Sequence, residues 1–164
     1  LYSHNTKSVD DDAPRLSFVR HAVEFELIGD HPDQLNIPVH PNHPSMGLRT
    51  WKLSDGRIWL EGEDLEKMDL RLKEFADVAL HDHEARVESI ERSDKRPVVH
   101  WLPFSQSIEA MVLSTKDDTI VHTEGQLERH KFKAGTIVQL ERVGYAIVVD
   151  STTLILCHED SQDE

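Results

Sequence analysis

Arg15, Arg49, Arg71, Gln139, Glu141 and Arg142 are the residues in this sequence whose types suit a recognition site. Arginine offers a rigid fork of donors, and glutamine or glutamate supplies an acceptor. That combination suits the Watson–Crick edge of an unstacked base. Uracil presents two carbonyl acceptors and one N–H donor, so a pocket for it needs donors such as arginine and an acceptor such as Gln139 or Glu141. Taken singly, each arginine reads first as a solvated surface residue, and nothing in the spacing alone groups them.

Other chemistries find less support. The chain has 11 histidines, and the closest pairs are His40 with His43 and His81 with His83. His81-Asp82-His83 on a strand would place both rings on one face. No cysteine cluster or helical His-x-x-x-His pattern accompanies them, so the usual spacing of a structural zinc site is missing and no metal site is expected. Cys157, in a strand-like setting, reads as a buried and inert thiol. The chain has neither a nucleophile elbow nor a glycine-rich phosphate loop, so neither catalytic residues nor a cofactor site are expected in it.

The elements that must position these residues are strands. In Phe132–Asp150, Val138 and Leu140 alternate with Gln139 and Glu141, the period of a half-buried strand, and Gly144 stands where a hairpin would reverse. An ordinary amphipathic hairpin with a solvated polar edge has the same pattern. Arg15–Val19 and Val23–Ile28 also read as strands, the second alternating Val23, Phe25 and Leu27 with Glu24 and Glu26. Val39–Arg49, with Pro41, Pro44 and Gly47, reads as a structured loop. Asp55-Gly56 predicts a hairpin joining Arg49–Leu53 to Arg57–Leu60. Glu61–Met68 suggests a short helical turn. Strands are expected again at Leu70–Leu72, Asp77–Leu80, Glu84–Ile90, Pro97–Pro103, Ser107–Leu113, Ile120–His122 and Thr152–Cys157, with a polar break at Ser93–Arg96 and a turn at Lys116–Asp118. Roughly a dozen short strands with a turn about every 8–12 residues, and very little helix, predict an all-β sandwich or barrel.

Composition narrows the function. A chain of 164 residues suits one domain or two small ones. Its 18 Lys and Arg against 31 Asp and Glu give a formal charge of -13, so it is no general polyanion binder; any nucleic acid must meet a local cationic patch. The single cysteine excludes an internal disulfide framework and points to a reducing compartment, the cytoplasm. No apolar run reaches the ~20 residues of a membrane helix, so no membrane partner is expected. Residues 1–13 read as a linker from a preceding domain, 14–158 as the folded unit and 159–164 as an acidic tail.

Six motifs then occur in one order: Ala13-Pro-Arg15 with Phe18-Val19, Val39-His-Pro-Asn-His-Pro-Ser-Met-Gly-Leu-Arg49, Asp55-Gly-Arg-Ile-Trp-Leu60, Leu70-Arg-Leu72, Val99-His-Trp101 and Val138-Gln-Leu-Glu-Arg-Val-Gly-Tyr145. In this the chain resembles the C-terminal anticodon-binding domain of class I glutamyl- and glutaminyl-tRNA synthetases of the archaeal and eukaryotic type. The resemblance covers about Asn5 to His158. It implies two β-barrels, proximal and distal to a catalytic body, joined by long shared strands. It also implies that Arg15, Gln139, Glu141 and Arg142 enclose the middle anticodon base, a uracil, and that Arg71 approaches the first base. The implied partners are the tRNA anticodon loop and the catalytic domain of the parent chain. The parent would use ATP and magnesium, and this fragment would have no catalytic site of its own. Glutamyl and glutaminyl enzymes share the middle uracil, so these residues do not separate them. Where bacterial glutaminyl enzymes carry a longer basic insertion, this chain has Glu61, Glu63, Asp64 and Glu66, which favours the glutamyl type. The two ATP-site signatures, His-Ile-Gly-His and Lys-Met-Ser-Lys-Ser, do not occur here. The alternatives are the same module of a glutamine–tRNA ligase, or a stand-alone β-barrel that uses acidic faces on a protein partner.

Overall fold

The structure, a computed structural model, describes residues 13–65, 68–92 and 95–159. The expected linker up to residue 12, the residues 93–94 within the polar break and the tail from 160 onward lie outside the described residues. Ala13 is buried at the edge of the fold.

Alternating side chains produce strands as expected. In chain order they are β1 (Arg15–Leu16), β2 (Phe18–Arg20), β3 (Ala22–Ile28), β4 (Gln34–Pro38), β5 (Leu48–Lys52), β6 (Arg57–Glu61), β7 (Asp69–Leu72) and β8 (Ala76–His81). They continue as β9 (Glu84–Ser89), β10 (Val98–Val99), β11 (Trp101–Pro103), β12 (Ser107–Lys116), β13 (Thr119–Glu128), β14 (Ile137–Leu140), β15 (Gly144–Asp150) and β16 (Thr153–Glu159). The only helical pieces among the described residues are 3-10 turns at Pro44–Met46, Gly62–Asp64 and Phe104–Gln106. The first lies inside the expected proline loop, and the second lies inside the stretch expected as a short helical turn, of which residues 66–67 are outside the described residues.

Two seven-stranded mixed sheets make the body. One is ordered β1-β14-β15-β16-β12-β13-β2, and only Ser17 separates its two outermost strands in the chain. The other is ordered β10-β7-β8-β9-β3-β6-β11, and only His100 separates its outermost strands. In each case the same stretch of chain supplies both edges, so the sheet must curl until they meet. Closing a sheet removes exposed edge N–H and C=O groups, the template for unwanted pairing. We refer to these as the terminal barrel, built from the two ends of the chain, and the central barrel, inserted between β2 and β12. The run from β2 into β3 passes from one barrel to the other and breaks only at His21, which takes φ 49.

Each barrel has its own apolar core. Leu16, Phe18, Val112, Leu127, Val138, Leu140, Ala146, Val148 and Leu154 fill the terminal one. Phe25, Ile58, Leu60, Leu70, Leu72, Phe75, Val78, Val99, Trp101 and Leu102 fill the central one, with Val19 joining from β2. Adjacent residues Phe18 and Val19 thus serve opposite cores, because successive strand side chains point to opposite faces. Gly125 in β13 crosses this junction. A Cβ there would sit 2.4 Å from the Val19 carbonyl oxygen and 3.0 Å from the Phe18 ring.

Four local expectations need correction. The Asp55-Gly56 turn forms, with Gly56 at φ 68, but it does not join a hairpin. β5 pairs with β4, whereas β6 pairs with β3 and β11, although Trp51 of β5 and Ile58 and Leu60 of β6 fill the same central core. The reversal between β14 and β15 falls at Glu141–Val143, where Arg142 takes φ 67, and Gly144 already pairs with Leu140. Pro97–Pro103 is two strands broken at His100, where the central barrel turns its corner. His81 ends β8 and Asp82, at φ 54, turns the chain, so His81 and His83 do not share a strand face.

Candidate nucleic-acid interface

β1 runs parallel to β14 with Arg15 opposite Gln139. The ladder is carried by Gln139 N–H donating to Pro14 O at 2.9 Å and Glu141 N–H donating to Leu16 O at 3.1 Å. Residues opposite one another in a sheet share a face, so this register brings together two side chains 124 positions apart in sequence. The turn that follows supplies Glu141 and Arg142. Facing them across the junction are Val98, Val99 and His100 of the central barrel, with Lys73 just beyond β7. Together these eight residues line a cleft of about 330 Å³ between the barrels.

Four of the five residues expected at an anticodon site therefore meet: Arg15, Gln139, Glu141 and Arg142. Arg71 does not line the cleft. Its guanidinium Nη1 donates to Asp77 Oδ1 at 3.2 Å and to Ile90 O at 2.9 Å, and Asp77 is fully buried. Sequence reasoning missed Lys73 and His100 as lining residues. Period two along β7 would have put Lys73 on the face of Arg71, and His100 is the one polar residue in Val98–Leu102.

Most of the charges near the cleft are paired. Glu141 lies between Lys73 Nζ at 3.0 Å and Arg49 Nη2 at 3.5 Å. Arg49 also donates to Arg15 O at 2.6 Å and reaches Glu128 Oε2 at 3.1 Å, so the β4–β5 hairpin is clamped over the junction. Glu128 accepts from Trp51 Nε1 at 2.9 Å and from Ser17 N–H at 3.1 Å. Burial pushes the Glu128 carboxyl up, against the opposing effects of Arg49, Trp51 and Ser17. Arg142 Nη1 meets the buried Asp64 Oδ2 at 3.0 Å. Beneath them Glu61, 1% exposed, accepts from Arg20 N–H and Nε, each at 3.0 Å, and from Arg20 Nη2 at 3.3 Å. His100 Nε2 lies 3.1 Å from Glu61 Oε1. Burial raises the Glu61 carboxyl, but the hydrogen bonds from His100 and Arg20 outweigh it and hold the group well below the usual carboxylate range.

Arg15 Nε, Gln139 Oε1 and His100 Nδ1 are buried polar atoms on the cleft residues with no hydrogen-bond partner, and His100 Nε2 has only its ion-pair contact with Glu61. A buried polar group without a partner costs about 1–3 kcal/mol, so each needs a reason. One is a donor, one is an acceptor, and the imidazole nitrogen is either according to its tautomer. Such a wall suits a ligand that carries donors and acceptors side by side.

Among the described residues, only Glu61, Asp64 and His100 bring three possible ligand atoms within 4.8 Å of one another. Arg20 and Arg142 already occupy those carboxylates. His40 and His43 pack edge to face at 4.4 Å, with His40 Nδ1 accepting from Asn42 N–H at 3.1 Å.

Residues 13–157 match the profile described as tRNA synthetases class I (E and Q), anti-codon binding domain. The chain belongs to this family. It is similar to the glutamate–tRNA ligase of Methanothermobacter thermautotrophicus, at 30% identity over 89% of this chain and 27% of the relative. The glutamate–tRNA ligase of Natronomonas pharaonis is 32% identical over 89% of this chain and 26% of its own length. That of Methanocaldococcus jannaschii is 25% identical over 96% of this chain and 30% of its own. The chain thus spans roughly a quarter to a third of these relatives' length. No helix among the described residues is long and apolar enough to cross a membrane.

Proposed function

We propose that this chain is the anticodon-binding domain of a glutamate–tRNA ligase and that the cleft between its barrels takes the middle anticodon base, a uracil. The glutamate assignment is supported by the names of the relatives, each a glutamate–tRNA ligase. The observation that carries the base assignment is the unmet pair on one sheet register, Arg15 Nε as donor and Gln139 Oε1 as acceptor. Uracil places an N3–H donor between two carbonyl acceptors. Gln139 Oε1 suits the N3–H, and the guanidinium groups of Arg15 and Arg142 suit the carbonyls. Cytosine reverses the sense at N3 and at the exocyclic position, so it would leave Gln139 Oε1 facing another acceptor.

Net charge supports a short-range mechanism. At -13 the chain repels a polyanion at a distance, so favourable energy must come from contacts inside the cleft. Arg71 is engaged through Nη1 with Asp77 and Ile90 O and lies outside the cleft, so its implied first-base role is the weakest of the five assignments on geometric grounds. The parent ligase would form glutamyl adenylate with ATP and magnesium; this chain would contribute tRNA identity, not a group for that step.

The test is equilibrium binding of anticodon stem-loops with uracil or cytosine in the middle position. A preference of about 10- to 100-fold for uracil is expected, the equivalent of one good base-edge contact. It should fall in Gln139→Ala. Equal affinity for both RNAs would refute the pocket.

A further inference from the structure

In the sequence, Glu61-Gly-Glu-Asp64 reads as an acidic stretch. In the structure it is not a solvated face. Asp64 is 1% exposed, on the 3-10 turn at Gly62–Asp64 of the central barrel. From there its Oδ2 reaches across the junction to Arg142 Nη1 at 3.0 Å. Arg142 belongs to the other barrel, on a turn where it takes φ 67, and its side chain is 40% exposed. We infer that Asp64 is a positioning residue that aims the Arg142 guanidinium into the cleft and thereby sets base specificity. The inference rests on the base-pocket reading above.

The physical reasons are two. An arginine side chain on an exposed turn samples many rotamers, and fixing it for recognition has an entropic cost at binding. A carboxylate that is buried before the ligand arrives removes that cost in advance. A buried carboxylate is also costly to leave without its cation, which favours the pairing. Glu61, three positions earlier and salt-bridged to Arg20, ends β6 where the turn begins, so a second buried carboxylate stands near Asp64 and sharpens its need for a cation. The planar guanidinium can give one edge to Asp64 and keep other N–H groups for the base. Asp64 itself touches no ligand in this scheme.

The experiment compares the dissociation constants of this chain for stem-loop RNAs with uracil or cytosine in the middle position. Wild type, Asp64→Asn, Arg142→Ala, the double variant and Gln139→Ala are measured at one salt concentration, with a thermal melt of each. Asp64→Asn is expected to lower the uracil-over-cytosine ratio by about tenfold, a typical base-contact share, by weakening uracil binding alone. In the Arg142→Ala background it should lower the ratio no further. A general structural defect would weaken both RNAs equally. An equal loss, an unchanged ratio or full additivity in the double variant therefore overturns the positioning role, provided Gln139→Ala still lowers the ratio. If Gln139→Ala leaves the ratio unchanged, the base pocket itself fails. Should Asp64→Asn not fold, Asp64→Glu keeps the buried charge and displaces it by one methylene. It is expected to lower the ratio too, and an unchanged ratio in a folded Asp64→Glu protein overturns the inference.

Discussion

Replacing Glu61 with glutamine removes one negative charge from the junction beside the cleft and keeps the side-chain shape. Glu61 is 1% exposed and accepts from the Arg20 backbone, the Arg20 guanidinium and His100. Glutamine would turn one of those acceptors into a donor facing Arg20, which has only donors to offer. Breaking a buried ion pair from one side costs about 3–5 kcal/mol. The Arg20 side chain is 31% exposed and can recover some hydration, which places the cost near the lower end, about 3 kcal/mol. In a chain of this size that lowers the melting temperature by about 6–12 °C. The pH dependence follows from the direction of the Glu61 shift. Its folded value lies below its ordinary value of 4.5, so its stabilisation is complete above that value and is lost as pH falls toward the folded one. The gap between wild type and Glu61→Gln should be widest at neutral pH and narrow in acid. Urea unfolding of both proteins from pH 7 to pH 3.5, with equal m-values, measures it. A gap under about 1 kcal/mol at pH 7, the worth of a surface pair, or one that does not change with pH, would refute the buried-charge reasoning.

Gly125→Ala should destabilise by about 1–3 kcal/mol in denaturant titration, because the new methyl group meets backbone at Val19. Glu128 has the opposite pH sign to Glu61. Burial raises it, so the wild type loses stability as pH rises from 4.5 through the folded value, and melts of Glu128→Gln should lack that decline. Arg71→Ala should cost about 3 kcal/mol of stability by removing the guanidinium that meets the buried Asp77, yet keep the middle-base preference in stem-loop binding. Lys95→Ala, at an exposed position away from the cleft, should change the dissociation constant for the uracil stem-loop far less than Gln139→Ala does.

The strands were legible because their burial alternates. Phe25 and Leu27 are buried in β3 while Glu24 and Glu26 are exposed, as period two requires. Pairing was not legible where the partner was distant. Asp55-Gly56 carries a correct local turn signal, but a turn does not decide whether its flanking strands pair with each other, and here β4 pairs with one and β3 with the other. Gln139 looked like the polar side of a half-buried strand and is 7% exposed, because Arg15 and the β1 backbone cover it. The meeting of Arg15 with Gln139 came into view through family resemblance; no spacing rule links positions so far apart. Nothing in the sequence shows that Glu61 and Asp64 are buried and paired, because their cations, Arg20 and Arg142, lie 41 and 78 residues away.

The most direct measurement of the base pocket uses a stem-loop labelled with ¹⁵N at N3 of the middle uracil. Free in a loop, that imino proton exchanges with water too fast to be seen. Bound in the cleft with N3–H donated to Gln139 Oε1, it should give a sharp, exchange-protected resonance that disappears in Gln139→Leu. A saturated complex in which that imino proton still exchanges freely with water would contradict the placement of the middle uracil between the barrels.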